Sequence, residues 1–412
     1  MNGKGHDLVI IGAGAAGLMA AAEAARLGLD VCVLEGQKEP GLKILISGGG
    51  RCNVTNARIR EKDYAAGCAH TLRHVLGTTS PREVVDFFEA HGAPLAVQET
   101  GEFFSADDKA RTVRDALVRA VTENGGRIAC GRRVNTIVTQ DGSFNIVGHD
   151  FIVSARAVII ATGGLSYPAT GSDGAGYRLA QAFGHNIVAT HPALVPLTAS
   201  NGTFGKISGI TIPVRLSLWA EGRKLRSIDG PLLFTHEGFS GPAPMEMSGY
   251  WLAVRGKHGC AVHADLLPAL KPDDTDFLLR PALAARSVKN ILTGLLPERL
   301  VVALLEAAGV DSQRPAGQLT RDQRKAILSA LRAFVLPLKD VAGYARAEVT
   351  SGGIDLKELK GATLASRLQE GLYFAGEVLD VDGRIGGFNL HWAWASGLAA
   401  ARAVVKDLKG RP

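Results

Sequence analysis

Residues 7–35 constrain this chain more than any other stretch. Asp7-Leu8-Val9-Ile10-Ile11 runs straight into Gly12-Ala13-Gly14-Ala15-Ala16-Gly17, an alanine-rich helical stretch follows, and Asp30-Val31-Cys32-Val33-Leu34 closes on Glu35. An apolar run, Gly-x-Gly-x-x-Gly, a helix and a second apolar run ending in an acid form the βαβ unit that holds an adenine dinucleotide. Gly12 permits the turn off the strand. Gly14 lets the backbone approach a pyrophosphate, and Gly17 lets the helix lie against the strand. The helix N-terminus at Ala15 and Ala16 offers N–H groups and the positive end of the dipole to the phosphates. Glu35, 18 residues beyond Gly17, can accept hydrogen bonds from ribose hydroxyls.

Other stretches repeat the theme. Ser47-Gly48-Gly49-Gly50-Arg51-Cys52-Asn53 exposes many backbone N–H groups, which suits a loop wrapping a phosphate, ribityl or flavin edge; a flexible surface loop is the alternative. Ala157–Ile160 reads as a buried strand ending in Ala161-Thr162-Gly163, where a parallel sheet places ligands. Leu372–Ala375 is another such strand, ending in Gly376-Glu377. Gly386-Gly387-Phe388-Asn389 precedes a helix from His391 to about Val405, a second N-terminus directed at an anion.

Between these lie ordinary elements. Ser80-Pro81-Arg82-Glu83 predicts a capping box, and 109–124 a second amphipathic helix. Strands are expected at 127–138 and 144–153 around an Asp141-Gly142 turn, with Asp173 capping a further helix. From about residue 191 the character changes. Ile210, Ile212, Val214, Leu216 and Leu218 alternate with polar residues as a half-buried strand, which Pro213 places at an edge. A turn at Glu221-Gly222 and a strand at 231–235 follow, then helices at 276–285, 297–308 and 321–334. A strand at 345–350 returns to the first style.

The 412 residues suffice for two or three domains, and 46% hydrophobic with 21% charged content is ordinary for a soluble protein. A net charge of +6 spread over this length suits an anionic ligand and does not by itself argue for nucleic acid. The five cysteines are scattered, so neither a disulfide framework nor a metal site is indicated and a cytoplasmic location is expected. The apolar run 8–22 contains three glycines and is too short to span a bilayer, so no membrane segment is expected.

The N-terminal βαβ unit together with the C-terminal strand–Gly-Glu–helix unit resembles the two-dinucleotide-binding-domain flavoproteins. More narrowly, the blocks at 9–17, 44–56, 161–164, 235–242, 350–353 and 374–389 resemble a bacterial family of NAD(P)/FAD-dependent oxidoreductases, the bile-acid-dehydratase-like and aminoacetone-oxidase-like flavoproteins. The resemblance implies an α/β fold, with a Rossmann-like FAD-binding domain at 1–190 plus 341–412. It also implies an inserted β-barrel-like subdomain at 191–270 and a helical subdomain at 271–340. Carried over by position, Gly12, Gly14, Ala15, Ala16 and Gly17 lie at the FAD pyrophosphate, Glu35 and Gly36 at the adenosine ribose, and Val134 at adenine. Lys43, Ser47, Gly48, Gly50, Arg51, Cys52 and Asn53 run beside the cofactor, and Thr162 and Gly163 close over its ADP side. Gly376 and Glu377 approach its centre, with Asp382 nearby, and Gly386, Gly387, Phe388 and Asn389 sit at the flavin ring.

The expected activity is hydride transfer to or from a small or medium organic substrate. With no second Gly-x-Gly-x-x-Gly in the chain, NADH or NADPH would dock transiently as electron donor. An RNA-modifying flavoprotein and a non-catalytic FAD-binding sensor are the alternatives, nucleic acid being the less expected partner. His236 and His391 are the candidate proton donors, each weighed below a structural hydrogen bond. Cys52 reads as a buried small residue rather than a redox thiol, and Trp392 and Trp394 as packing. Arg51 and Arg384 could bind an anionic substrate or the FAD phosphates.

Overall fold

A computed structural model describes residues 5–140, 142–200, 202–271 and 286–410. The chain forms two compact units, Met1–Pro192 with Ala347–Pro412, and Ala193–Arg346.

The first unit begins as the fingerprint requires, with β1 (His6–Ile11), α1 (Ala15–Arg26) and β2 (Val31–Leu34). The Ser47–Asn53 loop leads into β3 (Asn53–Asn56). Next come α2 (Pro81–Ala90), which carries the expected Ser80/Glu83 capping box, and α3 (Ala110–Glu123). The single strand expected over 127–138 is two, β4 (Arg127–Ala129) and β5 (Val134–Gln140), broken by Gly131 at φ +69°. β5 pairs antiparallel with β6 (Ser143–Gly148), Gln140 opposite Ser143; Asp141 lies outside the described residues. β7 (Ile152–Ile160), α4 (Ala175–Gln181) and β8 (Ile187–Ala193) complete the first pass. The N-cap of α4 is Gly174 rather than the expected Asp173, whose carboxylate, one residue earlier, accepts the Ala175 N–H at 3.1 Å.

Within Ala193–Arg346, β9 (Thr211–Ala220) and β10 (Arg223–Phe234) form a long hairpin through Glu221 and Gly222, both at positive φ. α5 (Pro242–Leu252) follows. β11 (Ala261–Asp265) pairs with β9 only over Arg215–Trp219, so β9 is an interior strand and Pro213 is tolerated because it lies past the end of β11. The helix expected at 276–285 lies outside the described residues. α6 (Glu298–Ala307) and α7 (Arg321–Arg332) follow. Strand residues such as Leu216 and Phe234 share one core with helix residues such as Val301 and Ile327.

The chain returns through β12 (Val349–Ile354), β13 (Leu372–Phe374), β14 (Val381–Gly383) and α8 (Phe388–Lys409). β12 starts later than expected and takes up Ser351-Gly352-Gly353, because it lies alongside β8. β13, β7, β1, β2 and β4 form one parallel run in that order, with Phe374, Ile160, Ile11, Leu34 and Ala129 in register. Alternate residues bury on opposite faces, Leu8 and Ile10 on one and Val9 and Ile11 on the other, as a sheet covered on both sides demands. Every parallel strand therefore ends on the same edge. Among the described residues no helix is long and apolar enough to cross a membrane.

Candidate functional site

The three fingerprint glycines have different reasons to be glycine. Gly12 sits at φ +103°, where a Cβ would stand 2.5 Å from Ala161 O; at Gly17 it would stand 1.9 Å from Gly12 O. Protein atoms forbid a side chain at both. Gly14, the N-cap of α1, has an ordinary φ of −79° and nothing within 4 Å of a would-be Cβ. The space it leaves open lies beside the first turn of a helix with no side-chain cap and no acid in that turn. Free N–H groups, a positive dipole end and room for close approach fit the pyrophosphate of a dinucleotide.

Glu35 follows β2 directly. Its carboxylate accepts the N–H groups of Ala13 and Gln37, each at 2.8 Å, so it braces the turn before α1 and keeps lone pairs for a further donor. The Arg132 N–H donates to Glu35 O at 2.7 Å, which brings the start of β5 at Val134 beside Glu35 and Gly36.

A polar cluster joins the ends of β7 and β13. Lys43 Nζ donates to Glu377 Oε2 and Ser166 Oγ, both at 2.8 Å. Ser166 Oγ (2.5 Å) and the Thr350 N–H (2.9 Å) donate to Glu377 Oε1. Thr350 Oγ1 accepts the N–H groups of Leu165 and Ser166 at 2.8 and 3.0 Å. Gly163, at φ +73°, lies against this cluster, its would-be Cβ 3.8 Å from Lys43 Nζ. Sequence reasoning found Lys43, Glu377, Thr162 and Gly163 but missed Ser166 and Thr350; Thr350 opens one of the family-like blocks, which was its signal. Asp382 accepts from Ser351 Oγ at 2.7 Å. Burial raises its pKa to about 6, against the Ser351 hydrogen bond and with help from the charges of Asp380 and Glu377.

The Ser47–Asn53 loop holds Gly48, Gly49 and Gly50 in succession at φ +56°, +67° and +88°. Ser47 Oγ donates to Ile44 O at 2.7 Å. Cys52 is fully buried and burial pushes its thiol up to about 12, so it is no thiolate near neutral pH. The exposed Arg51 lies over the Phe104 ring at 4.5 Å, and Arg384 over the Phe388 ring at 4.1 Å. Oriented to satisfy both neighbours, the Asn53 amide accepts the Gly387 N–H (3.1 Å) and donates to Thr55 O (3.2 Å), tying the loop to the start of α8.

Like that of α1, the N-terminus of α8 has no side-chain cap and no acid in its first turn. Gly387, at φ +88°, is fixed by Thr55, whose O atom would lie 2.6 Å from a Cβ; Gly386 O accepts from Asn56 Nδ2 at 3.0 Å. The Phe388 and Asn389 side chains turn into the protein. Phe388 is fully buried, edge-on to Tyr64 at 5.9 Å, and the Asn389 amide closes on Gly383 N and O at 2.8 and 2.9 Å. What these two residues leave at the helix start is their backbone N–H groups.

His391 is fully buried, with Nδ1 2.8 Å from Thr55 Oγ1, and burial lowers its pKa to about 4. It is a neutral structural imidazole, not an accessible proton donor. His236 is exposed in the Thr235–Gly238 turn of the second unit. Trp392 and Trp394 are packed as expected, and Trp392 Nε1 also donates to Gly376 O at 3.1 Å while Ser396 Oγ accepts the Gly376 N–H at 2.9 Å.

Comparison with known proteins adds to this geometry. The family described as HI0933-like protein Rossmann domain matches residues 6–403. The chain is 34% identical over 402 residues to ribosomal RNA dihydrouridine synthase of Escherichia coli (strain K12), covering 97% of this chain and 98% of that one. It is 32% identical over 404 residues to 3-dehydro-bile acid delta(4,6)-reductase of Clostridium scindens, covering 96% and 98%. Among solved structures, 3-ketosteroid delta1-dehydrogenase from Sterolibacterium denitrificans superposes with a TM-score of 0.53 at 14% identity, over 98% of this chain and 99% of that one, a likeness of fold.

Proposed function

The chain belongs to the HI0933-like Rossmann-domain family and is an FAD-dependent oxidoreductase, and from that premise we propose that it reduces a carbon–carbon double bond conjugated to a carbonyl. One observation carries this reading. Two relatives of nearly equal identity, each matched over almost its whole length, are named for very different substrates, a ribosomal RNA uridine and a bile acid. What those names share is the bond: the uracil C5–C6 double bond and the double bonds of a 3-oxo bile acid are both polarised by a carbonyl.

In this reading the first turn of α1, with the space at Gly14, takes the FAD pyrophosphate. Glu35, Gly36 and the start of β5 border the adenosine. The backbone N–H groups at the start of α8 face the flavin edge, and Lys43, oriented by Glu377 and Ser166, lies between. Bound FAD supplies the hydride chemistry. The chain's part is to hold and orient both reactants, and Asp382, with its pKa near 6, can hold or release a proton close to neutral pH. NADH or NADPH serves as a transiently docked donor.

Anaerobic reduction of the purified flavoprotein by NADH or NADPH, followed by mixing with an unsaturated 3-oxosteroid or a uridine-containing ribosomal RNA fragment, tests the reading. Return of the oxidised flavin spectrum with one of the two is expected, and the responding compound gives the substrate class. Failure of both, with rapid reoxidation by O2 alone, would show an oxidase instead.

A further inference from the structure

The net charge of this protein is not spread along it. Residues 193–346 carry 19 Lys and Arg against 13 Asp and Glu, a net of +6, which equals the charge of the whole chain, so the other unit is neutral overall. Within the charged unit, a concentration of cations lies at the tip of the β9–β10 hairpin, where Arg223, Lys224 and Arg226 are all exposed. None of the three takes part in an ion pair among the described residues. The other cations at this end are neutralised: Lys257 by Glu221 at 3.5 Å, Arg255 by Asp340 at 2.6 Å, and, further down the hairpin, Arg215 by Asp229 at 2.6 Å.

Aromatic rings are interleaved with these cations. Trp219, 36% exposed, pairs across the hairpin with Lys224 and shares its face. Arg226, paired with Leu218 on the other face, lies over the ring of Tyr250 at 4.6 Å, and Tyr250 is 40% exposed. His263, on β11, lies edge-on to Trp219 at 6.3 Å. Cations without a carboxylate partner next to exposed rings suit a polymer that alternates phosphates and stackable bases. A lipid surface would need no rings presented on both faces of one hairpin.

We propose that the tip of the β9–β10 hairpin is an RNA-docking surface, with Arg223, Lys224 and Arg226 on phosphates and Trp219 stacked on a base. The inference does not rest on which bond the flavin reduces, and binding can be read with no turnover.

The test measures binding of the full-length flavoprotein to a labelled single-stranded RNA of about 20 nucleotides by anisotropy over a range of KCl. Wild-type binding should weaken steeply with salt. The Arg223→Ser/Lys224→Ser/Arg226→Ser variant should weaken binding by tenfold or more and lower the slope of log K against log salt by about 2, since each phosphate contact on a single strand contributes roughly 0.7. Trp219→Ala should weaken binding about tenfold with the slope unchanged. Arg321→Ser/Lys325→Ser on α7 should change little. Near-ultraviolet circular dichroism confirms that each variant is folded. Absence of wild-type binding, a triple variant that binds like wild type, or an equal loss in the α7 variant would overturn the proposal. So would tighter binding to phosphatidylserine vesicles through the same three cations, which would make the tip a membrane contact.

Discussion

A single methyl group separates two meanings of glycine in the fingerprint. Gly14→Ala introduces no strained φ and meets no protein atom, so the protein should keep its thermal stability. The methyl would occupy the space offered to the pyrophosphate, and with at least one charge-assisted hydrogen bond lost, FAD affinity should fall by roughly tenfold to a hundredfold. Gly17→Ala sets a methyl 1.9 Å from Gly12 O, so there folding itself should fail or weaken by more than about 3 kcal/mol. FAD titration of the apoproteins beside their melting curves checks both; equal FAD binding by wild type and Gly14→Ala would show that the space is not the cofactor's. Two titrating residues act in opposite directions with pH. His391 ionises at about 4 when folded and near 6.5 when unfolded, so the stability it confers is present above 6.5 and is lost as pH falls towards 4, up to about 3 kcal/mol. Asp382 ionises at about 6 when folded against 3.8, so its contribution is present below 3.8 and is lost as pH rises through 6. Urea midpoints across pH 4 to 7 should show His391→Gln relieving the acid-side loss and Asp382→Asn flattening the opposing trend. An unchanged profile in both variants contradicts the assigned burial.

At the scale of elements, the site depends on how α8 lies against α1. Gly397 makes that approach possible: a Cβ there would stand 2.6 Å from Ala16 O, in the first turn of α1. Gly397→Ala should push the helices apart, lower stability by about 1–3 kcal/mol and weaken FAD binding, although the residue lies nine positions past the start of α8. A variant with wild-type melting and wild-type FAD affinity would show that the packing can relax around it. This contact also marks how far the sequence could be read. The βαβ unit and the Ser80/Glu83 capping box were legible because their parts are near neighbours whose spacing is the signal. The Lys43 cluster was legible only in fragments, since its partners lie 123 and 334 positions away and no local period links them. The glycines at the start of α8 were found, but which way Phe388 and Asn389 point depends on Tyr64 and Gly383, and a motif does not encode that. The Thr320/Gln323 capping box on α7 follows the same local rule as Ser80 and is equally legible in the sequence.

For the whole molecule, averages hid the organisation. A charge of +6 over 412 residues looks mild, and the same charge over residues 193–346 does not. The first unit is interrupted between β8 and β12, which are neighbours in one two-stranded sheet, with Gly352 packed so closely on Ala189 O that a Cβ would stand 2.4 Å away. Replacing residues 193–346 by a short Gly/Ser linker should therefore leave a folded protein that retains flavin and its visible spectrum, while RNA binding disappears. Loss of flavin from a folded variant would show that the second unit contributes to holding the cofactor. The paired strands have a further consequence for descent. Because the chain departs and returns through adjacent strands, two crossovers in a gene can exchange everything between them without touching the rest of the first unit.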